Sequence, residues 1–93
     1  MQVDCAGCQR TLTERAAGIA TCPRGDEVIE TWFLCPACER WTVDVYLDRF
    51  MGEGHVHTRG PLPRAQGDEA VARIRRCPAP GDKWCDCEVH RAW

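Results

Sequence analysis

Two Cys-x-x-Cys pairs, Cys5/Cys8 and Cys35/Cys38, constrain this chain more than any other feature, because four thiols set in two short turns must be tied to something. A Cys-x-x-Cys turn aims two thiolates and nearby backbone N–H groups at one ion, whereas a disulfide closed across it is strained. The chain needs such a tie. With 93 residues it forms one domain, and a domain of that length buries too little apolar surface to be comfortably stable unaided. Eight cysteines leave disulfides or metal as the staple. Met1 to Leu12 has neither the basic nor the apolar stretch of a secretion signal, so a cytoplasmic location is expected and metal is favoured over disulfides. No run approaches the ~18 apolar residues of a membrane span, so a soluble protein with no membrane partner is expected.

The clearest strands flank the second pair. Glu27 to Leu34 is rich in β-branched and aromatic residues, with Val28, Trp32 and Leu34 on one face and Ile29, Thr31 and Phe33 on the other. Trp41 to Asp48 alternates, with Trp41, Val43, Val45 and Leu47 opposed to Thr42, Asp44, Tyr46 and Asp48, as in a half-buried strand. Cys35 to Arg40 is then the turn of a β-hairpin. Turns are expected at Ala16-Ala17-Gly18 and at Cys22 to Asp26, and Gly7 is expected to supply a positive φ in the first Cys-x-x-Cys turn. Pro61 and Pro63 argue for a loop from Met51 to Gln66. Asp68 and Glu69 mark the start of a short helix, with Ala70, Val71 and Ile74 on one face and Arg73, Arg75 and Arg76 at its end, stopping near Cys77-Pro78.

With 26 residues between Cys8 and Cys35, the two pairs can clamp one ion in a closed tetrahedron, which folds a protein and leaves no coordination position for catalysis. Cys5-Ala6-Gly7-Cys8 and Cys35-Pro36-Ala37-Cys38, the latter set between strands, resemble a zinc ribbon over about residues 3 to 48. The resemblance implies a zinc-ribbon-like β-hairpin core; together with the short helix and the Cys/His-rich C-terminal tail, the expected fold is a small metal-stabilised α+β domain. Residues 1–50 would form the ribbon module, and residues 51–93 a loop, the helix and a second metal-binding segment packed on it. Zinc ribbons serve in transcription, translation, enzyme subunits and protein docking, so the resemblance implies the metal and little of the function.

Cys77, Cys85, Cys87 and His90 fall within fourteen positions and make a Cys₃His set, a second candidate zinc site. Cys22 competes with His90 for that site, since using it would place all eight cysteines in two Cys₄ sites; otherwise Cys22 is a small buried apolar residue. His55 and His57, two apart, would point to one side of an extended segment, and His57 is an alternative ligand; the plain alternative is an exposed loop. Trp32, Trp41, Trp84 and Trp93 are expected to cover the metal sites and a thin core. A C-x-x-C redox pair would call for a thioredoxin-like βαβ pattern, which is missing.

These features favour a zinc-binding accessory protein or subunit with two zinc ions, docking on a larger protein and lacking a convincing set of catalytic residues. No small-molecule substrate is evident. A net charge of −2, more negative still once thiolates hold zinc, argues against nucleic acid, although a nucleic-acid-binding ribbon would have Arg73 to Arg76 as its contact. A catalytic reading would place His55 or His57 beside an open metal position. A second resemblance remains. Cys5-x₂-Cys8-x₁₃-Cys22, with Gly18-Ile19 ahead of Cys22, is similar to the small iron–sulfur subunits of some glycyl-radical decarboxylases and fumarate-adding synthases. It implies a [4Fe–4S] cluster whose ligand pattern continues to Cys35 or Cys38, and the intact Cys35-x₂-Cys38 pair is a departure from it.

Overall fold

The computed structural model describes residues 1–49, 52 and 54–93. In chain order its elements are β1 (Val3–Asp4), β2 (Thr11–Leu12), β3 (Ala17–Thr21), a single 3₁₀ turn (Pro23–Gly25), β4 (Glu27–Leu34), β5 (Trp41–Asp48), β6 (His55–Leu62), α1 (Arg64–Arg76) and α2 (Glu88–Ala92). β1 and β2 pair as a small antiparallel hairpin, and β3 to β6 form a four-stranded antiparallel sheet in chain order. The two β-branched runs are its centre: β4 and β5 pair without interruption from Glu27↔Asp48 to Leu34↔Trp41.

Three expectations are corrected. Ala17 and Gly18 lie in β3 rather than in a turn, because pairing with Trp32 and Thr31 satisfies their backbone in an extended form. The expected loop from Met51, which itself lies outside the described residues, to Gln66 contains β6 and the start of α1. Pro61 is tolerated there because β6 is an edge strand, and the register with β5 slips between Trp41 and Val43. Gly60 sits at that bulge with φ 128°, and a Cβ on it would lie 2.7 Å from the Trp41 carbonyl oxygen, so no side chain fits. The helix begins at Arg64, directly after Pro63, rather than at Asp68, since proline at a helix start loses only an N–H that would have no partner within the helix. β6 is an outer strand of the same sheet as β3, β4 and β5.

Each face of the sheet has its own cluster. On one, Ile19, Trp32, Trp41, Val43 and Val45 meet Val71 and Ile74 of α1. The helix approaches so closely at Gly67 that a Cβ there would run into the Trp41 ring, and Trp41 Nε1 donates to the Arg64 carbonyl at 3.2 Å and to Asp68 Oδ1 at 3.0 Å. On the other face Phe33 is fully buried with Val3, Cys5, Leu12 and Cys35. β5 is therefore not half-buried along its first five residues: Thr42 and Asp44 are enclosed, and Thr42 Oγ1 accepts the Ala6 N–H at 2.9 Å from the hairpin packed on that face. Among the described residues no helix is long and apolar enough to cross a membrane.

Candidate metal centres

The two Cys-x-x-Cys turns are built alike. In each, the N–H of the residue after the second cysteine closes back on the first cysteine's carbonyl: Gln9 on Cys5 at 2.9 Å and Glu39 on Cys35 at 2.9 Å. The first cysteine's own N–H reaches forward, Cys5 to the Arg10 carbonyl at 2.8 Å and Cys35 to the Arg40 carbonyl at 3.0 Å. The tight closure puts a left-handed residue at Gln9 (φ 68°) and at Glu39 (φ 54°). Gly7 does not take that conformation, which corrects the expectation for it; the strained position is one residue past the cysteine pair, where no glycine signals it.

These turns face each other. All four sulfurs lie within 4.8 Å of one another, with Cys5 Sγ 3.5 Å from Cys38 Sγ and Cys8 Sγ 3.6 Å from Cys35 Sγ. Two thiolates on one tetrahedral ion with bonds of ~2.3 Å stand about 3.8 Å apart, so the group fits a single metal. Cys5 and Cys35 are fully enclosed, while Cys8 is exposed.

The second group gathers Cys77, Cys85, Cys87 and His90 within the same 4.8 Å limit. Cys77 Sγ is 3.8 Å from Cys85 Sγ, 3.4 Å from Cys87 Sγ and 3.2 Å from His90 Nδ1. Cys77 ends α1 and Cys87 caps α2, placing His90 one turn along, where its N–H meets Cys87 Sγ at 3.4 Å. His90 Nε2 lies 2.9 Å from the Ala20 carbonyl, which fixes it as the protonated nitrogen and leaves the Nδ1 lone pair for a metal. A partner seventy residues away has no signal in the local sequence.

Within each group the surroundings push thiols in opposite directions: Cys5 and Cys35 down and Cys8 and Cys38 up in the first, Cys87 down and Cys77 up in the second. Burial pushes the Cys5 thiol up, yet the N–H groups of Cys8 and Gly7 and the thiols of Cys38 and Cys35 outweigh it and bring it down to about 6. Burial, reinforced by the Cys5 and Cys35 thiols, pushes Cys38 up to about 11. In the second group the His90 N–H is the main reason that Cys87 falls to about 6, against burial, and burial is the main reason that Cys77 rises to about 11. A metal ion bound there would have to displace the protons of the raised thiols, since the thiolate is the ligand.

All eight cysteines are free. Cys22 and His57, the alternative ligands, belong to neither group: Cys22 precedes the 3₁₀ turn between β3 and β4, and His57 lies with His55 on the exposed edge strand β6. The triad Cys5, Cys8 and Cys22 is thus not gathered into one group. Trp84, expected to cover a metal site, is 72% exposed, whereas Trp32 and Trp41 are core and Trp93 packs edge-on against Trp32 at 6.5 Å. The ligand chemistry and the β4–β5 turn fit a metal-binding module of zinc-ribbon type. Comparison of the chain with protein-family models, with curated proteins and with solved structures finds no match.

Proposed function

We propose that this chain is a zinc protein of zinc-ribbon type, with two closed structural centres, that serves as an accessory or subunit docking on a larger protein. The observation that carries the zinc reading is the division of eight ligand atoms into two sets of four, each gathered within 4.8 Å. Each set matches the ligand count and softness of a structural zinc site, Cys₄ and Cys₃His. Thiolates that bind different irons of a cubane cluster stand farther apart than two ligands of one ion, so the short sulfur separations favour single ions. A closed tetrahedron leaves no position for substrate. The docking half draws on the exposed edge strand β6, with Val56 64% exposed, and on the exposed Trp84, whose backbone N–H donates to Asp82 Oδ1 at 2.9 Å.

Elemental analysis of protein purified without oxygen tests the metal. The expected result is a colourless protein with two zinc ions per chain; a brown protein carrying iron and sulfide would instead establish the cluster reading. For docking, the native protein should co-elute with a larger polypeptide, and Trp84→Ala should release it with both zinc ions retained. Elution of the native protein as a free monomer would defeat that half.

A further inference from the structure

After Cys77, no residue from Pro78 to Trp93 is buried. A segment that orders many residues without a core must draw its order from elsewhere, and α2, at five residues, is far too short to hold itself. Outside the metal group its fastenings lie at the surface, among them the Arg73 guanidinium over the Trp93 ring at 5.0 Å. The Ala20 N–H donates to the Pro80 carbonyl at 2.7 Å, Trp93 Nε1 donates to Glu30 Oε2 at 3.0 Å, and Lys83 pairs with Glu27 at 3.4 Å. Val89 and Trp93 rest half-buried on the main cluster. Each such contact is individually modest in water. The buried members of the main core all come from β3, β4, β5 and α1, and the tail adds only the half-buried Val89 and Trp93 at its margin.

We propose that the second centre is a metal-operated latch: an ion held by Cys77, Cys85, Cys87 and His90 docks residues 78–93, and its loss releases that segment while the β3–β6 sheet and α1 stay folded. The inference rests on reading those four residues as ligands. His90 couples the two events directly, since the ring that offers Nδ1 to the ion offers Nε2 to the Ala20 carbonyl of β3. Release frees the Ala20 N–H on the outer edge of β3 and removes Trp93 from beside Trp32. Metal status at one end of the chain therefore decides whether a strand edge and a tryptophan are covered. Cys85, Cys87 and His90 are half-buried, so a chelator can reach three of the four positions of this group.

The test is NMR of the full, zinc-loaded chain during stepwise chelation, with zinc counted at each step, alongside His90→Ala. Loss of the zinc from the second centre should collapse the signals of residues 78–93 to random-coil positions, keep those of β3 to β6 dispersed, and speed hydrogen exchange at the Ala20 amide by at least tenfold. Returning zinc should reverse all three. His90→Ala should show the released state with one zinc bound. The latch is overturned if residues 78–93 stay docked once the second ion has gone, or if the sheet melts with it in either sample. A native chain that binds a single zinc while Cys77, Cys85 and Cys87 react freely with an alkylating agent would refute the ligand reading itself, and the latch with it.

Discussion

Cys5 and Cys35 sit at zero exposure with Val3, Leu12 and Phe33 packed against them, whereas Cys85, Cys87 and His90 are half-buried in a segment that has no buried residue after Cys77. The ligand chemistry is nearly the same, and each group mixes buried and accessible ligands, but only the first rests on an apolar cluster of its own. At the first centre, two matching turns are each closed by their own backbone bonds, and an apolar cluster under them shares the task of folding. At the second, the ligands come from the end of α1, a short irregular stretch and the five-residue α2, and His90 is anchored to a carbonyl on a distant strand. An ion at the first centre would complete an apolar cluster; one at the second would fasten a segment that has no buried residue of its own.

The largest expected effect tests that contrast at its root. Replacing Cys35 by Ser should abolish cooperative folding of the whole chain, because a structural zinc site contributes on the order of 10 kcal/mol, comparable with the entire stability of a small domain. Cys85→Ser should leave a cooperative thermal transition with one zinc bound. Circular dichroism melts with zinc counting compare the two, and equal damage from both substitutions would erase the distinction.

A smaller effect is expected in the core that lies between the centres. Gly67→Ala drives a methyl group into the Trp41 ring and should lower stability by about 3 kcal/mol, through overpacking, in urea denaturation. Both zinc ions should remain bound in the folded variant. Loss of the second ion alone would show that α1, which leads into Cys77, transmits strain to that centre.

The smallest concerns Asp44, enclosed in β5. Burial raises its carboxyl above the ordinary value of 3.8, with the nearby His57 charge opposing. A carboxyl raised on folding binds its proton more tightly in the folded state, so its contribution is fully present below pH 3.8 and is lost as pH rises through the folded value. At pH 7 the buried charge is a liability. Asp44→Asn should therefore raise the urea midpoint slightly at pH 7, and the gap from the native protein should narrow as pH falls within the range where both centres keep their metal. A lowered midpoint would mean that the carboxylate holds a partner that Asn cannot.

Much of the candidate site was legible along the chain. Cys-x-x-Cys geometry is local, so the grouping of thiols in pairs follows from spacing, and the runs Glu27 to Leu34 and Trp41 to Asp48 announce the hairpin that carries one of them. The Cys₃His set was also visible, because its members crowd into fourteen positions. β6 was hidden by Pro61 and by glycines and histidines that suit an edge strand as readily as a loop. The first helical turn was hidden by Pro63, and Gly67 gave no sign that it makes room for a tryptophan.

The chemistry of the centres, their ligand types and the turn that carries each cysteine pair follow from residues within a few positions of one another, where covalent geometry leaves little freedom. Which distant parts meet is another matter. That Cys5 and Cys8 come up under β4 and β5, that Cys22 stays outside both groups, and that His90 reaches back to Ala20 all depend on how the sheet stacks its strands and on which face each turn is left. Those outcomes balance burial and backbone pairing over the whole chain, and no local pattern encodes such a balance.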